Sequence, residues 1–202
     1  VVVANDLQGS RVISDQGTLR LGAISRTQGA QSGVYQAEVS DALPEDPGVS
    51  GSCIGGCFDF EVRGIAAGST VNVVLPLSEA IPPDAGYRKL FRGQWRDFRT
   101  TGTVPNAQEG GSLASAGGGP GTCPPPGDSL YQPGLNEGDF CVQLTLVDGG
   151  LNDDDLAANG VIRDPGGVSG AAVEAEPRTF SAGSPSSGSG CTLAQTPQPG
   201  KR

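Results

Sequence analysis

The chain has 202 residues and a net charge of −9, with 22 acidic against 13 basic side chains and neither histidine nor methionine. That balance argues against nucleic acid or an anionic membrane face as a partner, and without histidine there is no Ser-His-Asp or Cys-His catalysis and no histidine metal ligand. Glycine (33) and proline (16) make up about a quarter of the chain, which penalises helix nearly everywhere, so short strands joined by turns, an all-β protein, are expected.

With no methionine in the chain, Val1 reads as the residue after a removed leader or as the start of an excised segment. No apolar run approaches the roughly 18 residues that span a bilayer. Residues 1–45 offer the β-type runs VVVAN, GTLRLGAIS and GVYQAEVS. In CFDFEVRGI, Phe58, Phe60 and Val62 alternate with Asp59, Glu61 and Arg63, the period of a half-buried strand. TVNVVLPL gives a second strand, ended by Pro82 and Pro83. YRKLFRGQWRDF reads as a hairpin with a three-residue loop containing Gly93. Among its basic residues Arg88, Lys89, Arg92, Arg96 and Arg99, the arginines are expected to pair with the many carboxylates, while Tyr87, Phe91, Trp95 and Phe98 pack inward. Basic residues interleaved with aromatics also mark nucleic-acid surfaces, but the overall charge weighs against that reading.

Residues 101–121 are glycine-rich and read as a long loop. DFCVQLTLVDGG is the strongest strand pattern, with Phe140, Val142, Leu144 and Leu146 on its apolar face, and AAVEAEPRTF is expected to be the last strand. From Ser181 onward the composition is that of a linker. Eight to ten strands suit an antiparallel β-sandwich of immunoglobulin-like character with long Gly/Pro-rich loops. Its inward positions are expected to include Phe58, Phe60, Val73, Leu75, Trp95, Val142, Leu144 and Leu146. The organisation expected is N-terminal strands over 1–45, a sandwich domain over 46–180, and a Gly/Ser/Pro segment over 181–202.

Five cysteines stand at 53, 57, 123, 141 and 191. CIGGC is one residue longer than a thioredoxin-like or zinc-knuckle CxxC. The economical pairing is Cys53–Cys57 and Cys123–Cys141, with Cys191 left over, in an oxidising compartment outside the cytoplasm. The acidic stretch DGGLNDDDLAANGVIRDPGG supplies hard oxygen ligands on a turn-rich segment, as calcium requires. Its candidate ligands are Asp148, Asn152, Asp153, Asp154, Asp155, Asn159 and Asp164. The spacing is not that of an EF-hand, and the alternative is a loop whose Asp and Asn side chains cap backbone amides. Catalysis by paired carboxylates finds no support: the acids cluster in one loop, and one tryptophan with three tyrosines makes a poor sugar platform. No enzyme is expected.

Four segments, CFDFEVRGI, YRKLFRGQWRDF, CPPPGDSLYQPGLNEGDFCVQLTLVDGG and NDDDLAANGVIRDPGG, together resemble a bacterial surface domain of the choice-of-anchor U type over about residues 53–168. The resemblance implies an exported, surface-displayed architecture and no reaction. GSGCTLAQTPQPGKR resembles the start of a C-terminal sorting region, with an outer-membrane or envelope anchor as the implied partner. On that reading Cys191 is the processing or lipid-attachment position; otherwise it is an odd cysteine, free or paired between chains. Two function classes follow. One is a subunit of an extracellular filament, binding copies of itself by β-strand addition through Val1, Val2 and Val3, whose β-branched side chains suit insertion into a sheet. The other is a monomeric surface-anchored adhesin or spacer.

Overall fold

The computed structural model describes residues 2–5, 11–27, 43–103 and 110–173. Its elements in chain order are β1 (Val2–Asn5), β2 (Arg11–Ser14), β3 (Thr18–Leu21), a short helix α1 (Ala23–Thr27), β4 (Cys57–Arg63), β5 (Thr70–Pro76), β6 (Gly86–Phe91), β7 (Gln94–Asp97), β8 (Ser112–Ala116), β9 (Gln132–Pro133), β10 (Cys141–Val147) and β11 (Val161–Ser169). They form two antiparallel sheets, β1-β2-β5-β10-β8-β9 and β3-β4-β11-β6-β7. This is the β-sandwich expected from the sequence. The chain crosses between sheets at β2–β3, β4–β5, β5–β6, β7–β8 and β10–β11, so that β4 and β5 lie against β11 and β10 like a ribbon rolled across both layers.

The core between the sheets is made by alternate residues, as strand geometry demands. Phe58, Phe60 and Val62 of β4 meet Val71, Val73 and Leu75 of β5, Val142, Leu144 and Leu146 of β10, and Ile162 and Val168 of β11, all fully buried. Seven of the eight residues expected to face inward are there. The eighth, Trp95, is half-buried, and its indole N–H donates to the Pro44 carbonyl at 2.6 Å. A smaller cluster, Val74, Ala116, Tyr131 and Cys141, lies on the other face of the six-stranded sheet, against Cys123. The structure joins Cys123 to Cys141 (Cα–Cα 5.6 Å) and Cys53 to Cys57 (4.7 Å).

Several local expectations change. The hairpin loop has two residues, not three: Phe91 pairs with Gln94, and Arg92 and Gly93 both take positive φ (50° and 80°). That is a type I′ turn, whose twist matches the strands it joins. Within the stretch read as loop, Ser112–Ala116 is a strand paired with β10. Its small residues gave no periodic signal, and its pairing is partly polar, with Ser112 Oγ 2.8 Å from Thr145 Oγ1. The last described strand is Val161–Ser169, so the acidic loop ends earlier than its composition suggested. Pro165 is tolerated there because β6 joins β11 only from Gly166 onward, leaving one paired neighbour at the proline. Of AAVEAEPRTF, Ala171–Val173 continue from β11 with an isolated bridge to Val49, and 174–180 lie outside the described residues. Finally, β4 is buried on both faces, because α1 covers Asp59 and Glu61.

Candidate functional site

The β10–β11 connection, residues 148–160, closes the end of the sandwich where the β4–β5 and β6–β7 turns also emerge. Its side chains stitch those turns together. Asp148, 2% exposed, accepts three backbone N–H bonds: from Gly68 in the β4–β5 turn (2.8 Å), from Gly160 (3.0 Å) and from Val161 (3.2 Å). Asn152 pairs with both backbone groups of Arg99, accepting at 2.9 Å and donating at 2.8 Å. Asp153 accepts from Gly149 and Arg163, and Asp154 accepts from Arg92 of the hairpin turn at 3.3 Å. Asp155 accepts from Ala157, from the Asn159 amide and from the Arg163 guanidinium, and Asn159 accepts from Val161. Gly149 (φ 76°) is required here, since a Cβ would stand 2.5 Å from the Ala158 nitrogen.

The seven residues predicted as calcium ligands are therefore near in sequence but divided in role. Six of them cap backbone amides or each other. The seventh, Asp164, sits on β11 and faces the core, where it pairs with Lys89. Among the described residues no three His, Cys, Asp or Glu side chains gather as a metal-holding group. The capping alternative accounts for the composition, because Asp and Asn oxygens satisfy amide donors that a tight loop leaves without strand partners.

Burial raises the pKa of Asp153 from 3.8 to about 6, against the pull of its two backbone donors. A second acidic pair lies under α1. Asp59 accepts the Ser25 N–H at 2.7 Å, and burial raises its pKa. For Glu61 burial acts in the same sense, but hydrogen bonds from Arg26 and Arg63 outweigh it and leave the pKa lowered. The shallow cavity between them, of about 320 Å³, is lined by Gly22, Ile24, Asp59, Glu61, Leu90 and Arg163 among others. Its acids are already engaged by partners.

Among the described residues two of the hairpin's five basic side chains, Arg88 and Lys89, pair with carboxylates. Arg88 bridges Asp46 (2.7 Å) and Asp97 (2.6 Å), Arg96 stacks on the Phe91 ring at 3.5 Å, and Lys89 meets Asp164. Sequence reading counted Lys89 with the hairpin's basic residues and did not find its burial. The available signal was its position two residues from Tyr87, on the same strand face. Val2 and Val3 lie in β1, paired with Ser14 and Ile13 of the same chain. Val1 and Cys191 lie outside the described residues.

No family model matches the chain, and neither does any curated protein or solved structure. No helix among the described residues is long and apolar enough to cross a membrane.

Proposed function

We propose that the protein is a non-enzymatic structural module of a bacterial cell surface, a filament subunit that binds copies of itself by β-strand addition. The position of β1 carries this reading. Among the described residues it is an edge strand of the six-stranded sheet whose ladder partner is β2, and β2 in turn pairs with β5 through Ile13 and Ser14, continued by Asp15 on Asn72. A valine-rich strand at such an edge is exchangeable, because the same strand from a neighbouring copy makes the same main-chain bonds to β2. The acidic loop supports a structural role, since its carboxylates hold the fold together instead of facing an open cleft. Two disulfides suit an oxidising compartment, and the resemblance to a choice-of-anchor U domain points to the same place.

The pairing of β1 within its own chain favours a second reading, a monomeric surface-anchored adhesin or spacer. Deleting residues 1–8 separates the two. The filament reading expects polymer from the full-length protein, by light scattering and electron microscopy at high concentration, and a folded monomer from the truncated one. Full-length protein that stays monomeric, or polymer that survives the deletion, leaves the spacer.

A further inference from the structure

The Lys89–Asp164 pair stands apart from every other ion pair described. Both side chains have no exposure, and both project into the core side of the five-stranded sheet, from adjacent strands β6 and β11. Lys89 lies on the same face as Tyr87, and Asp164 on the same face as Ile162 and Val168, all of them core residues. Among the described residues the ammonium has one hydrogen-bond partner, Asp164 Oδ1, for three N–H donors. Asp164 Oδ2 has none. Neither has the Tyr87 hydroxyl, whose ring crosses β11 at Gly166, where a Cβ would stand 2.8 Å from Cε1 and 3.1 Å from Oη. Two full charges with this many unsatisfied donors and acceptors are a poor resting state for a dry core.

We propose that the Lys89 amine and the Asp164 carboxyl condense into an intramolecular amide that locks β6 to β11. The ammonium first passes a proton to the carboxylate, giving a neutral amine and a neutral acid. The nitrogen lone pair then forms a bond to Cγ, and one Cγ–O bond breaks. The departing oxygen leaves as water, carrying the acid proton and one proton from nitrogen. One N–H and one carbonyl oxygen remain. No electron is transferred and no co-reactant is needed.

The surroundings favour each stage. Burial lowers the pKa of Lys89 and raises that of Asp164, so both groups are pushed toward the neutral forms that react. The charges of Asp154 and Arg96 are in electrostatic reach of both groups. In water, condensation of an ammonium with a carboxylate is unfavourable because both ions are well solvated. In this core that solvation has already been lost, and forming the amide removes both charges together with the unpartnered oxygen. The strands keep the two groups in contact, which replaces a bimolecular encounter with an intramolecular step.

The test is intact mass spectrometry of the full-length protein after denaturation and reduction of its disulfides. The amide predicts a mass lower than that of the sequence by one water. Lys89→Met and Asp164→Ala should each restore the full mass. Tryptic mapping should show no cleavage after Lys89, and a branched peptide joining its segment to the one containing Asp164. The wild-type measurement decides even where a variant fails to fold. Full sequence mass, or free cleavage after Lys89, overturns the proposal. So does a lost water that maps elsewhere, for example to an aspartyl succinimide at Asp148-Gly149. The inference holds whether or not the module polymerises.

Discussion

At the scale of single residues, Asp148 is the side chain on which the loop end of the sandwich depends. It is buried and serves three backbone N–H groups on two separate turns. Asp148→Ala would leave those donors without a partner and should cost on the order of 3 kcal/mol in denaturant unfolding. Asp154→Ala removes one long hydrogen bond and should cost less than about 1 kcal/mol. A calcium loop predicts otherwise: both substitutions would weaken ion binding, and chelation would lower the melting temperature of the wild type. The capping geometry predicts that chelator and millimolar calcium both leave the melting temperature unchanged. The composition of residues 148–164 made the two accounts equivalent. What separates them is the direction in which the backbone amides point, and that depends on tertiary placement.

At the scale of elements, the β6–β7 hairpin shows both the reach of sequence reading and its limit. Alternation located the strands, and Gly93 located the turn. The loop length came out one residue too long because Gln94 is as polar as a loop residue, although it pairs with Phe91. Gly93→Ala has open space for its methyl group, so the cost is confined to a φ of 80°. A loss of about 1 kcal/mol is expected, measurable by thermal unfolding. In β4, β5 and β10 the apolar period was strong enough to assign the core face correctly. It said nothing of β8, whose small residues carry no period, nor of α1, which turns the polar face of β4 into a second interior. The burial of Lys89 was not legible for a related reason: a charged residue on a regular strand ordinarily faces water, and only its partner on β11 explains where it lies.

At the scale of the whole molecule, stability should depend on pH through two opposed groups. Asp153 keeps its proton up to about pH 6 in the folded state and loses it near 3.8 when unfolded. The folded state therefore binds more protons in that window, and this group's contribution falls as pH rises from 4 to 6. The lowered pKa of Glu61 acts the other way, with a contribution present above 4.5 and lost as pH falls through its folded value. Urea midpoints measured from pH 3 to 7 should show an acid-side loss that Glu61→Gln removes, and a decline between pH 4 and 6 that Asp153→Asn flattens. The rolled connectivity has a temporal consequence. The two latest strands described, β10 and β11, are central: β10 lies between β5 and β8, and β11 between β4 and β6. A chain emerging N-terminus first thus lacks the middle strand of the six-stranded sheet until residue 147 is free and that of the five-stranded sheet until residue 169 is free. Contacts of such long sequence separation form late and slowly, so the polypeptide stays open for most of its synthesis. On the proposed surface location that delay would serve export, since a domain whose central strands come last stays threadable until they arrive.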